Sequence, residues 1–138
     1  MKRYIKSAIR DISTEDETTQ REVAWAETTR GAELEALVNS PNGDVRGAAL
    51  GNPNVPLYLL QDAAKSSNPA DRYNVARNPS TPSDILEQLS YDWHGQVRCN
   101  VANNPNTSTE ALERLTQDKD WMIRDVAKKQ LATRGIEV

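Results

Sequence analysis

Short apolar clusters alternate with polar turns along this chain, and the clusters return in phase. Leu34, Leu60, Leu86 and Leu112 stand 26 residues apart, and Leu37, Ala63, Leu89 and Leu115 keep the same step. Within a cluster the spacing is helical. Ile85, Leu86 and Leu89 fall on one face, as do Ala111, Leu112 and Leu115. A second cluster follows, in which Val97 and Val101 lie one turn apart and point the same way. Each unit therefore predicts two short helices.

Polar punctuation keeps the same register. Asn-Pro occurs at 52–53, 78–79 and 104–105, and the pairs Val45-Arg46, Asp71-Arg72, Val97-Arg98 and Ile123-Arg124 are in step. Proline drives the preceding residue out of the helical region, so Asn-Pro is expected to stop the second helix. The first helix of the next pair begins after it. Thr81 is expected as its N-cap, with Pro82 at the first helical position and Asp84 in the first turn. The run Thr107-Ser108-Thr109-Glu110 has the capping-box pattern, which predicts that Glu110 reaches back to the cap amide. The second helix is expected to begin near the Val-Arg pair. Helices of about seven to ten residues do not stand alone in water. Neighbouring units must share their apolar faces, which is the physics of a solenoid.

This organisation predicts one domain over residues 1–138. Its parts are an N-terminal cap segment (1–18), a degenerate repeat (19–44), full repeats (45–70, 71–96 and 97–122), and a C-terminal partial repeat or cap (123–138). In the first segment Ile5, Ala8, Ile9 and Ile12 sit at helical spacing. Ser13 or Thr14 followed by Glu17 suggests a new helix start.

Composition narrows the classes. The chain has 138 residues, 37% of them hydrophobic, and no Phe, which suits repeats that place few apolar residues economically. Charge is −3 overall but uneven. Residues 1–10 carry four bases, residues 11–44 carry nine acids against two bases, and residues 45–138 carry eleven of each. That balance argues against a domain devoted to a nucleic-acid backbone. Cys99 is the single cysteine, so neither an internal disulfide nor a multi-cysteine metal site is expected. The absence of a long apolar run, and a basic start without a secretory apolar stretch, lead to an expectation of a cytoplasmic address and no membrane span. No cofactor or metal is expected.

The string "NPNTSTEALERLTQDKDWMIRDVA" (104–127) resembles the variant leucine-rich repeat, whose unit has Asn-Pro-x-Thr-Pro, then Leu-x-x-Leu, then Asp, then Val-Arg before Val-Ala. It is also similar to HEAT-type repeats. The resemblance covers about residues 29–131. It implies an all-α fold: a short right-handed superhelical solenoid in which α-helices alternate with 3₁₀-helices. The 26-residue step is longer than that family usually has, which leaves room for an α-α pair instead. The family's founding member carries a cysteine-bound iron–sulfur cluster, which a chain with Cys99 alone could not hold.

Two polar rows on the second helices are candidates for function. The first is Arg46, Arg72, Arg98 and Arg124. Such a row can hold phosphate or an acidic peptide. Alternatively it stitches units together, because Asp92 and Asp118 lie six residues before Arg98 and Arg124. The second row points away from Val97 and Val101 and holds Gly47, Tyr73, Cys99 and Asp125, then Gly51, Arg77, Asn103 and Lys129, with Asn74 and Asn100 beside it. Polar, aromatic and arginine residues on one wall suit recognition of a peptide or a nucleic-acid strand. The candidate binding residues are Tyr73, Asn74, Arg77, Arg98, Asn100 and Asn103. Trp93 and Trp121 are expected to pack in the turns between helices, and Trp25 to cover the core of the degenerate unit. His94 has too few companions for a metal, and its pairing with Cys99 as base and nucleophile has no support in the spacing. The expected function is therefore a non-enzymatic protein-interaction or scaffolding module, with another protein as partner. The alternative is a nucleic-acid-binding, HEAT-like module drawing charge from Arg46, Arg72, Arg77, Arg98, Arg124, Lys128 and Lys129.

Overall fold

A computed structural model of the chain describes residues 15–26 and 31–137. The cap expected over residues 1–18, with its Ile5, Ala8, Ile9 and Ile12 stripe, lies almost wholly outside them, as do Ser13 and Thr14. Among the described residues every regular element is an α-helix. The order is α1 (Glu17–Trp25), α2 (Gly31–Leu37), α3 (Gly43–Leu50), α4 (Leu57–Ala63), α5 (Pro69–Arg77), α6 (Ser83–Leu89), α7 (Gly95–Asn103), α8 (Thr109–Leu115) and α9 (Trp121–Thr133). The sequence step is carried into the backbone. Helices α1, α3, α5, α7 and α9 start at 17, 43, 69, 95 and 121, and helices α2, α4, α6 and α8 at 31, 57, 83 and 109. The second helix of each pair is thus α, not 3₁₀. It begins two residues before the Val-Arg pair, at Gly95 rather than Val97 in the best-patterned unit.

Second helices pack on one another along the stack, α1 on α3, then α5, α7 and α9. The first helices pack mainly against these and touch one another far less. Leu34, Leu60, Leu86 and Leu112 fill the seam between the layers and are at most 1% exposed. Val75, Val101, Ala49 and Ala127 fill the second-helix side and are fully buried.

Short helices need firm ends, and each type of end has its own chemistry. Helices α1, α3, α5 and α9 are capped by Asp16, Asn42, Asn68 and Asp120, whose side chains accept from amides of the first turn, while α7 starts at His94 without a side-chain cap. First helices start differently from the sequence expectation. Pro56 and Pro82 stand at the N-cap and offer no side-chain acceptor. Thr81 is fully buried, and its hydroxyl donates back to the Val75 carbonyl at 2.6 Å. Thr107 does the same to Val101 at 2.6 Å. The cap of α8 is Ser108, which accepts from the Ala111 amide at 3.1 Å, and Glu110 stays exposed without closing a capping box. Each threonine hydroxyl is thus spent on the end of one helix rather than the start of the next.

The asparagine of Asn-Pro does more than end a helix. Asn52, Asn78 and Asn104 are at most 3% exposed. The Asn78 amide donates to the Leu50 and Asn52 carbonyls at 2.6 and 3.0 Å, and its oxygen accepts from the Ser80 amide at 2.8 Å. Asn104 repeats this one unit on, to Ala76 and Asn78 at 2.8 and 2.9 Å. Asn52 repeats it one unit back, to Ala24 and Ala26 at 2.7 and 2.9 Å. A buried asparagine ladder thus joins each unit to the one before it and satisfies carbonyls orphaned at helix ends. At the next step stands Gln130 with no proline after it, and α9 runs on for 13 residues. It ends at Thr133, followed by Gly135, whose φ of 78° favours glycine, with the Ile136 amide closing back on Leu131 at 2.9 Å.

Candidate interaction surface

The two polar rows meet different fates. In the first, the guanidinium groups of Arg46, Arg72 and Arg98 are each held from two sides, and that of Arg124 donates to the Asp118 carbonyl at 2.6 Å. Arg98 donates through Nε and Nη2 to the Asp118 carboxylate at 2.8 and 3.2 Å, and through Nη1 to the Asp92 carbonyl at 2.7 Å. Arg72 grips Asp92 at 2.6 and 3.3 Å and the Ser66 carbonyl at 2.6 Å. The side chains of Arg98 and Asp118 are only 8% and 7% exposed, so this is a buried, bidentate pair. The carboxylate is shared with the arginine twenty residues before it. The arginine six residues after it takes only its backbone carbonyl. Burial pushes the Asp118 carboxyl up. The Arg98 hydrogen bonds, the Asp120 amide and the Arg98 charge outweigh this and hold it below its ordinary value. Asp92 is held down in the same way by Arg72, the His94 amide and the nearby charges, against its burial. Arg98, named from sequence among the binding candidates, therefore lies in a buried rung joining two units.

The second row is built over bare backbone. Gly47 in α3 and Gly51 at its C-cap stand at the positions where α5 carries Tyr73 and Arg77. A Cβ on Gly47 would lie 2.9 Å from Nδ2 of Asn74, and one on Gly51 would lie 3.4 Å from Arg77 Nη2 and 3.7 Å from the Trp25 ring. The missing side chains let α5 and α1 meet across α3. The Arg77 guanidinium sits 5.7 Å from the Trp25 ring centroid and 5.7 Å from that of Tyr73. Its Nη2 donates to Oδ1 of Asn74 at 3.0 Å, and Asn74 Nδ2 donates to the Ala70 carbonyl at 2.8 Å. Asn100 ties α7 into the same wall by donating to the Tyr73 carbonyl at 3.1 Å. Asn103 is exposed at the end of α7. The structure thus brings Tyr73, Asn74, Arg77 and Asn100 together, and Trp25, expected from sequence to cover the core of the degenerate unit, joins them at 54% exposure. Tyr73 also lines a cleft of about 310 Å³ with Asn68, Pro69, His94, Gln96 and Val97.

The remaining chemistry-bearing residues scatter. Cys99 is half-buried, and burial, with the charge of Asp120, pushes its thiol up, which disfavours the nucleophilic thiolate. His94 turns to the arginine row, its Nδ1 3.1 Å from Arg72 Nη2. Among the described residues, no three His, Cys, Asp or Glu side chains stand together as a metal site. Trp93 and Trp121 do not pack in the turns as expected; they are 92% and 67% exposed. The five-residue turn over 90–94 has no interior large enough for the Trp93 indole, and Trp121 is already the first residue of α9. Sequence reasoning missed one further cluster, in which Arg114 lies 4.3 Å over the Tyr91 ring and donates to Glu87 at 2.7 Å. Its signal was present, since Arg114 and Glu87 differ by one repeat plus one residue.

Architecture and wall together define an α-helical repeat stack. Within it, residues 95–120, one complete unit from the start of α7 through α8, match the family model described as leucine rich repeat variant. No curated protein and no solved structure gives a match. Among the described residues, no helix is long and apolar enough to cross a membrane.

Proposed function

We propose that this chain is a non-enzymatic interaction module that takes a partner protein on its second-helix wall, in a reducing, cytoplasmic setting. One observation carries the reading: the exposed Arg77 guanidinium held over Trp25 and Tyr73 across the glycines of α3. Tryptophan, tyrosine and arginine are the side chains that dominate protein interfaces when packed together. Stacking fixes the guanidinium before a partner arrives, which lowers the entropy lost on binding. The free thiol of Cys99 agrees with a reducing compartment.

The nucleic-acid alternative loses support from the arginine row. Arg46, Arg72 and Arg98 each lie against a carboxylate, and Lys129 pairs with Asp125 at 2.9 Å. Their charge is largely neutralised before any phosphate arrives.

Capture of partners from a lysate of the source cells, with the parent chain and with Tyr73→Ala and Arg77→Ala, tests the reading. Each variant should weaken the captured partner about 30-fold, the effect of a hot-spot truncation; Arg77→Ala, at an exposed position, should melt as the parent does, and Tyr73→Ala, half-buried against the core, somewhat lower. Retention of the partner by both variants would dismiss the wall. Binding of DNA or RNA at low salt, falling steeply as salt rises, would favour the alternative instead.

A further inference from the structure

One turn of the stack departs from the repeat on its exposed side. The turn over 90–94 carries Tyr91 and Trp93. Their registers hold Lys65 and Ser67 one unit back, and Gln117 and Lys119 one unit on. Polar residues build this turn elsewhere in the stack, so the two rings are not there to form it. Nor do they serve the core, since Tyr91 is 65% exposed and Trp93 92%. Arg114 departs with them. Asp62 and Gln88 stand at its register, and its guanidinium lies 4.3 Å over the Tyr91 ring. Both partners of this contact are thus particular to their own units.

With Leu115 and Lys119, these residues line a cleft of about 460 Å³ between the turn over 90–94 and that over 116–120. Most of its charge is already matched. Arg98 and Asp118 are bonded to one another, Asp92 is held by Arg72, and Arg114 pairs with Glu87 at 2.7 Å. That leaves Lys119, exposed and without an ion pair among the described residues, as the unmatched charge. Arg114 spends Nη2 on Glu87 and Ser90, and its Nε and Nη1 meet no acceptor among the described residues. Two rings, one unmatched cation and free guanidinium N–H groups complement an apolar side chain beside a single carboxylate. A nucleic-acid strand, with a phosphate at every step, would bring more negative charge than one cation offsets and would meet Glu87 as well.

We propose that this cleft is a second binding site, which takes a segment of a partner protein in which an apolar side chain adjoins an aspartate or glutamate. The apolar side chain lies against Tyr91 and Trp93, and the carboxylate is met by Lys119 and the free N–H groups of Arg114. The cleft shares no residue with the wall around Tyr73 and Arg77, so its failure leaves the reading of the wall standing.

The full chain, labelled for observation of indole N–H and arginine Nε–H groups by NMR, can be titrated at fixed ionic strength. The probes are the acetylated peptide amide Gly-Leu-Asp-Leu-Gly, its Gly-Leu-Asn-Leu-Gly counterpart, and a uridine hexanucleotide. The aspartate peptide should shift the Trp93 and Arg114 signals along one saturating curve and leave Trp25 in place. The asparagine peptide should bind about tenfold more weakly. Lys119→Ser, read at Trp93, and Trp93→Ser, read at Arg114, should each weaken the aspartate peptide about tenfold. Both substitute serine, which already stands at this register as Ser67, so the melting midpoint should stay with that of the parent. The proposal is overturned if the aspartate peptide leaves Trp93 in place, if the asparagine peptide binds as tightly, if the hexanucleotide saturates the cleft first, or if either variant binds as the parent does.

Discussion

Asn78→Ala is expected to lower the melting midpoint by about 10 °C, read by far-ultraviolet circular dichroism. The side chain is fully buried and serves three backbone groups, the carbonyls of Leu50 and Asn52 and the amide of Ser80. Removal leaves each without its partner in a place water reaches poorly. Every such orphan costs about 1–3 kcal/mol, so a total near 3 kcal/mol allows for some relaxation. Asn78→Asp keeps the shape but turns a carboxylate toward two carbonyl oxygens, and should be at least as damaging. Asn103→Ala is the control, because Asn103 is exposed and its loss should change stability by no more than about 0.5 kcal/mol. Equal midpoints for Asn78→Ala and Asn103→Ala would remove the ladder from the account.

The second large effect is expected at the Arg98–Asp118 rung. Asp118→Ala leaves a guanidinium that is 8% exposed without its carboxylate, and should cost about 3–5 kcal/mol. Replacing both, as Arg98→Met with Asp118→Leu, should recover part of that loss, since no buried charge then remains. Recovery is partial because Arg98 also holds the Asp92 carbonyl and Asp118 accepts from the Asp120 amide. The same rung sets the acid response. The Asp118 and Asp92 carboxyls are held below their ordinary value in the folded chain. Their stabilisation is therefore complete above the unfolded aspartate pKa of about 4 and is lost as pH falls through the lower, folded value. The parent midpoint should drop in that window, and the drop should be smaller for Asp118→Ala. An identical acid dependence in the two proteins would show that Asp118 carries none of it.

Much of the fold was legible in the sequence because a repeat announces itself several times. The leucine rows placed the first helices, and Val97 with Val101 placed the second. The α character of the second helices was left open, since residue spacing over two turns does not separate α from 3₁₀; nine residues in α7 settle it. Caps were read less well. Thr81 and Thr107 have good capping chemistry, but the nearer carbonyls of Val75 and Val101 win their hydroxyls. The asparagine of Asn-Pro was taken as the passive neighbour of a proline, whereas its amide joins units through carbonyls 26 and 28 residues back, a distance no local rule covers. Of the binding candidates, Arg98 is distinguished from Arg77 only by tertiary position. One turns to the acidic loop that follows α8, and the other lies over Trp25 two helices away in the stack. The glycines at 47 and 51 were visible in the row, and their consequence was not, because it depends on which side chains arrive from both neighbours.

The central claim is that repeats separated by 26 residues are joined through buried asparagine amides. Hydrogen exchange of the side-chain amide groups, resolved by NMR, tests this most directly. The carboxamide protons of Asn52, Asn78 and Asn104 should exchange as slowly as the amides of the buried helices, while those of exposed Asn103 exchange at the rate of a free side chain. Exchange of all four at the free rate would contradict the account.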